Sequence, residues 1–189
     1  MKIALVHDDL IQKGGAERVF EALVGMFPKA DVYTSMATAT WIEGLADSPK
    51  PDFQSSPKAR LFSSAGIYTS FMQKLPFKKK LYRAYFPFYP FAFESFDFSG
   101  YDLVLTSSSR FAHGVITTPN TVHVCYMHSP GRMWWEPGSY FGGDSRPQNS
   151  SKPGLSRHNP GLCPSAVLSP FLSWLRQWDF TAAQRIDYI

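Results

Sequence analysis

Residues 2–34 read K-I-A-L-V-H-D-D-L-I-Q-K-G-G-A-E-R-V-F-E-A-L-V-G-M-F-P-K-A-D-V-Y-T, and this stretch decides the fold. Its first third is a short apolar run, Ile3-Ala4-Leu5-Val6, closed by His7 and Asp8. Such a run is the pattern of a strand covered on both faces of a parallel sheet. A turn over residues 8–15 follows and carries the pair Gly14-Gly15. From Ala16 the apolar positions Val19, Phe20, Leu23, Val24 and Phe27 recur at helical spacing, and Pro28 stops the helix. Residues 30–34 then read as a second strand, so the whole is a βαβ unit with a right-handed crossover.

Outward from this unit the same alternation returns. Residues 102–106 read as a buried strand, with Ser107-Ser108-Ser109 as a capping segment before a brief helical turn at 110–114. Residues 121–126 are the next strand, followed by a loop with His128-Ser129-Pro130 and Met133-Trp134-Trp135. Between the two blocks, Pro49, Pro51 and Pro57 predict irregular chain over 38–58, and residues 61–72 read as a helix without a clear cap. Residues 142–165 hold five Ser, four Pro, four Gly and two Asn, the composition of a flexible loop or insertion. Ser169 offers a helix cap and Pro170 a first helical position, with Phe171, Leu175, Trp178, Ala182 and Ile186 on one stripe. Residues 187–189 read as the opening of another strand. The expected class is α/β, Rossmann-like, with a mainly parallel sheet and helices on both faces.

Composition narrows the function classes. The chain has 189 residues, 44% hydrophobic and 18% charged, which excludes general disorder and fits one domain. A net charge of +4 favours anionic partners, and no nucleic-acid partner is expected from so mild an excess. Two cysteines, Cys125 and Cys163, imply no disulfide framework and point to a reducing, cytoplasmic setting. The early charge after residues 3–6 is wrong for a signal peptide. Residues 111–131 lack Asp, Glu, Lys and Arg, but their Thr, Asn, His and Pro content argues against a membrane span.

Several groups are candidates for chemistry. Gly14 and Gly15 either make a tight turn or let a phosphate approach the positive end of a helix. His7-Asp8, Gly14-Gly15, residues 107–109 and His128 fall at strand ends, where ligands of open α/β sheets bind, although a lone histidine is also a common structural residue. His123, Cys125 and His128 lack a second ligand pair at zinc spacing, so no metal is expected. No G-x-S-x-G elbow supports hydrolase chemistry. Lys78, Lys79, Lys80 and Arg83 precede an aromatic stretch from Tyr85 to Tyr101. That combination suits either an anionic membrane surface or a solvated basic segment followed by core aromatics.

Five segments, taken in order, carry a resemblance: K-I-A-L-V-H-D from Lys2, Q-K-G-G-A-E-R-V from Gln12, F-E-S-F-D-F-S-G-Y-D-L-V-L-T-S-S-S from Phe93, C-Y-M-H-S-P from Cys125, and L-R-Q-W-D-F-T-A-A-Q-R-I-D-Y-I from Leu175. Together they closely resemble the N-terminal domain of family 4 glycosyltransferases. The resemblance implies the N-terminal, acceptor-side half of a GT-B two-domain fold, spanning residues 1–189, with the donor-binding C-terminal half absent from this chain. It implies retaining, metal-independent transfer of a sugar from a nucleotide-diphosphate sugar, a co-substrate rather than a cofactor, to a glycan or lipid-linked acceptor. Gly14 and Gly15 then lie near the donor diphosphate and His128 near the transferred sugar, with Asp8, Ser109 and Ser129 as sugar or acceptor contacts. The chain departs from the pattern at Asp9, where the family often has Trp, and at 142–165. By itself it is expected to transfer no sugar, and to sit in the cytoplasm with peripheral contact to the inner face of a membrane. The alternative is a non-catalytic module that binds an acceptor or a membrane.

Overall fold

The apolar run at the N-terminus becomes the central strand of a five-stranded parallel sheet. A computed structural model describes residues 1–46, 66–77, 81, 84–137 and 164–189. The strands are β1 (Ile3–His7), β2 (Asp31–Thr34), β3 (Ile67–Thr69), β4 (Leu103–Ser108) and β5 (Val122–Met127), arranged in the order β3-β2-β1-β4-β5. All four pairings are parallel, and the register sets His7 beside Thr34 on one side and Ser107 on the other. The chain therefore winds outward from β1 to β3 and then crosses back to β4, which puts the topological switch point between β1 and β4.

Alternation along β1 builds a core on each face. Ala4 and Val6 belong to one buried cluster, whereas Leu5 belongs to the other with Phe20 and Val24 of α1 (Gly15–Met26) and Trp41 of α2 (Ala39–Ala46). The first cluster is filled by α3 (Tyr89–Glu94), α4 (Arg132–Trp135) and α5 (Pro164–Ala183), which supply Tyr89, Phe93, Trp134, Leu172 and Leu175. The aromatic stretch divides. Phe86, Tyr89, Phe93, Phe98 and Tyr101 are buried, each large ring contributing about 2–3 kcal/mol by leaving water, while Phe88 and Phe91 stay exposed.

Three local expectations give way to tertiary context. Ile67-Tyr68-Thr69, read as part of a helix, is a strand of β-forming residues paired to β2, and a 3-10 turn follows at Phe71–Lys74 with the Ser70 hydroxyl accepting the Met72 N–H at 3.2 Å. Residues 39–46, read as irregular, form α2, entered through the Thr38 carbonyl, which accepts the N–H groups of Trp41 and Ile42. The last helix starts at Pro164 and not at Pro170, so residues 164–165 belong to it. Pro164 itself takes the first-turn position where a missing N–H costs nothing, and Pro170 lies inside. The rest of residues 142–165 lies outside the described residues.

α5 is tied down by its polar edge as well as its apolar stripe. Glu94 of α3 accepts both the Trp178 indole N–H and a guanidinium N–H of Arg185, each at 2.9 Å. The chain then returns to the sheet. Cys125 N–H donates to the Tyr188 carbonyl at 2.8 Å, and Tyr188 pairs in parallel with Val124, as the strand reading of residues 187–189 expects.

Candidate functional site

The loops leaving β1, β4 and β5 meet at the switch point, and buried polar side chains hold them together. Asp8, the first residue beyond β1, anchors the arrangement. Its Oδ2 accepts the backbone N–H groups of Ser109 (2.6 Å) and Arg110 (3.0 Å), and its Oδ1 those of Phe111 (2.7 Å) and Ala112 (2.8 Å). Burial opposes its charge, but the Arg110 guanidinium, His7 and the N–H groups of Phe111 and Ser109 hold the carboxyl below the usual carboxylate range. A four-residue backbone stretch wrapped on a carboxylate in this way fixes the loop after β4.

Asp9 is equally buried but differently supplied. Arg110 and the Tyr89 hydroxyl both donate to its Oδ2, while Oδ1 is shut away without a hydrogen-bond partner. Burial pushes its pKa up in spite of Arg110, with Asp8 adding to the effect. The ion pair ties the β1 and β4 loops together beside the aromatic core.

Ser107 connects two imidazoles. His7 Nδ1 lies 2.9 Å from the Ser107 carbonyl, and His128 Nε2 lies 3.0 Å from the Ser107 hydroxyl. His7 stacks on Phe20 of α1, and His128 meets Tyr126 edge-on. The His128 backbone N–H donates to the Ser108 carbonyl at 2.9 Å. Burial, followed by the neighbouring His7, lowers the His128 pKa and favours the neutral ring, while the charges of Asp8 and Glu17 pull the other way.

At the start of α1 the two glycines behave differently. Gly14 donates its N–H to the Glu17 carboxylate at 2.8 Å, and a Cβ on Gly14 would meet that same carboxylate at 2.7 Å. A Cβ on Gly15 would meet nothing within 4 Å, so Gly15 faces open space at the positive end of the helix. Glu17 thus closes over the first glycine and leaves the second accessible.

A further polar chain escaped the sequence reading. The Ser108 hydroxyl lies 3.1 Å from His113 Nδ1, and His113 Nε2 lies 3.2 Å from Asp179 Oδ1 on α5, within ion-pair distance but without hydrogen-bond alignment. Asp179 also accepts the Trp135 indole N–H at 2.8 Å. Nothing in the local sequence signals this link, because its members come from β4, a short turn and a helix more than 60 residues on. Ser107 and Ser108 themselves belong to β4 and not to the capping segment expected of them.

Of the groups singled out in the sequence, Asp8, Ser109 and His128 therefore share one rim with His7 and Ser107. The Ser109 backbone is bound to Asp8, and Ser129 follows His128 as a half-buried residue. Gly14 and Gly15 open α1, whose Phe20 and Glu17 respectively touch His7 and act on the charge of His128. Lys78, Lys79, Lys80 and Arg83 lie outside the described residues. Among the described residues no helix is long and apolar enough to cross a membrane. No family model matches the chain, and no curated protein or solved structure matches it either.

Proposed function

We propose that this chain is the acceptor-side, Rossmann-like half of a GT-B glycosyltransferase that moves a sugar from a nucleotide-diphosphate sugar to a glycan or lipid-linked acceptor with retention of configuration. The observation that carries the reading is the exposed Gly15 at the head of α1 on the same edge of the sheet as the Ser107–His128 pair. A diphosphate is stabilised where backbone N–H groups and a helix dipole converge without a side chain in the way. A neutral imidazole held at 3.0 Å by a serine is a preorganised partner for the sugar. With no metal step, the barrier falls through positioning and fixed dipoles aimed at developing charge. The donor is a co-substrate, and its nucleotide is gripped mainly by a second half.

The test is a transfer assay on the full-length product with a panel of nucleotide sugars. Wild type is expected to transfer one of them with retention, and His128→Ala is expected to lose at least about a hundredfold in turnover, the scale of one electrostatic contact in a preorganised site. Turnover unchanged in His128→Ala removes the imidazole from the mechanism.

One observation favours a second reading, a non-catalytic module that binds an acceptor or the inner face of a membrane from the cytoplasm. Phe91, 56% exposed, stacks at 6.0 Å on Trp174, 38% exposed, with Phe88 also open to solvent. Aromatics at the surface, preceded in the chain by Lys78, Lys79, Lys80 and Arg83, suit an anionic bilayer. Vesicle sedimentation that ignores the anionic lipid fraction counts against it.

A further inference from the structure

The sugar-transfer reading assigns no role to His7, yet His7 is the most constrained imidazole on the rim. It closes β1, is only 1% exposed, and stacks on Phe20 with ring centroids 4.8 Å apart and planes 20° from parallel. The partner of its Nδ1 is a backbone carbonyl, the Ser107 oxygen at 2.9 Å. A carbonyl can only accept, so Nδ1 carries a proton, and in its uncharged form the ring presents a bare lone pair at Nε2.

That lone pair is unclaimed. Among the described residues Nε2 has no hydrogen-bonding partner. An aromatic ring locked by stacking and one hydrogen bond, with its second nitrogen left unpaired at a strand end, is a hydrogen-bond acceptor held ready for a ligand.

Ser107 gives this acceptor its neighbour. The register places Ser107 directly beside His7, and the same residue binds His7 through its carbonyl and His128 through its hydroxyl. Two imidazoles are thus set on either side of one residue at the switch point. We propose that His7 Nε2 accepts a hydrogen bond from a hydroxyl of the sugar in a bound nucleotide sugar, and that Ser107 is the residue positioning both imidazoles for that ligand. The inference rests on the sugar-transfer reading for the identity of the ligand, but not for the tautomer or the unpaired nitrogen.

The test separates the two nitrogens. In His7→Asn the short amide can still donate to the Ser107 carbonyl, but nothing remains at the Nε2 position. In His7→Gln the longer amide reaches the Nε2 position. Both variants of the full-length product are titrated with a panel of nucleotide-diphosphate sugars, and the His7 ring nitrogens of the wild type are followed by ¹⁵N NMR. Expected are a protonated Nδ1 in the free protein, an Nε2 resonance that moves on saturation, an affinity loss of about tenfold in His7→Asn with unfolding close to wild type, and partial recovery in His7→Gln. Tenfold is the scale of one hydrogen bond to a neutral acceptor. The proposal is overturned by a protonated Nε2, by a resonance that ignores a bound nucleotide sugar, by wild-type affinity in His7→Asn, or by no binding across the panel. If wild type transfers sugar while Nε2 stays unmoved, His7 fails and the transferase reading stands. If Nε2 responds and His7→Asn binds weakly but wild type transfers nothing, the converse holds.

Discussion

The Asp8 carboxylate accepts the Phe111 backbone N–H at 2.7 Å across 103 residues of chain. Three more N–H groups of the same loop share that carboxylate, so one side chain holds the loops after β1 and β4 together. Asp8→Asn keeps the shape but turns an NH₂ toward two of the four donors. The expected cost is at least about 3 kcal/mol, measured by denaturant unfolding, because buried donors lose an ionic acceptor. A change near zero would mean that the loop is held by its apolar contacts instead.

Gly15 predicts a split outcome. As the exposed first residue of α1 with nothing within 4 Å of its Cβ position, it should accept alanine and gain about 0.4–1 kcal/mol of stability. On the transferase reading the new methyl stands where the diphosphate approaches, so transfer by the full-length product should fall. Greater stability with undiminished transfer would move the diphosphate away from Gly15.

His123 gives a pH dependence with a definite sign. It is buried, with Nε2 3.1 Å from the Thr106 hydroxyl, and burial lowers its pKa to about 4. The unfolded chain titrates near the ordinary 6.5, so between these values it holds more protons than the folded one. The stability this group contributes is complete above pH 6.5 and is lost as pH falls toward 4, by about 3 kcal/mol in all. In His123→Gln the slope of unfolding free energy over that interval should flatten; an identical slope would place the acid sensitivity elsewhere.

Cys125 is expected to be chemically silent in the native state. It is 2% exposed, and burial pushes its thiol up to about 11. In a Cys163→Ser background a thiol reagent at neutral pH should modify the protein only as fast as it unfolds. Rapid labelling of the folded chain would show that β5 opens locally.

These contacts show where local sequence carries structural information and where it does not. β1, α1 and β2 were legible because a short apolar run, a glycine turn and a helical repeat each bury their own pattern. β3 was not, since Ile67-Tyr68-Thr69 becomes a strand only by pairing with Val32, Tyr33 and Thr34. At the rim, Asp8 and His128 were visible as polar residues after strands, but the arrangement around them was not. Asp8 finds its donors, and Ser107 its two imidazoles, through register between strands about 100 and 20 residues apart. Asp9 drew notice only as a departure from a family pattern, and its pairing with Arg110 depends on that same register. The link from His113 to Asp179 depends on where α5 docks, which no short-range spacing records.

The placement of β1 also has a consequence for how the molecule is made. β1 is flanked on one side by β2, close in the chain, and on the other by β4, which begins only at Leu103. One flank can be satisfied early by a neighbour; the other stays bare until Leu103–Ser108 has been synthesised. Pairing at such separation is entropically slow. An inner strand is therefore paired on one side only until β4 emerges, and the rim between β1 and β4 closes no earlier.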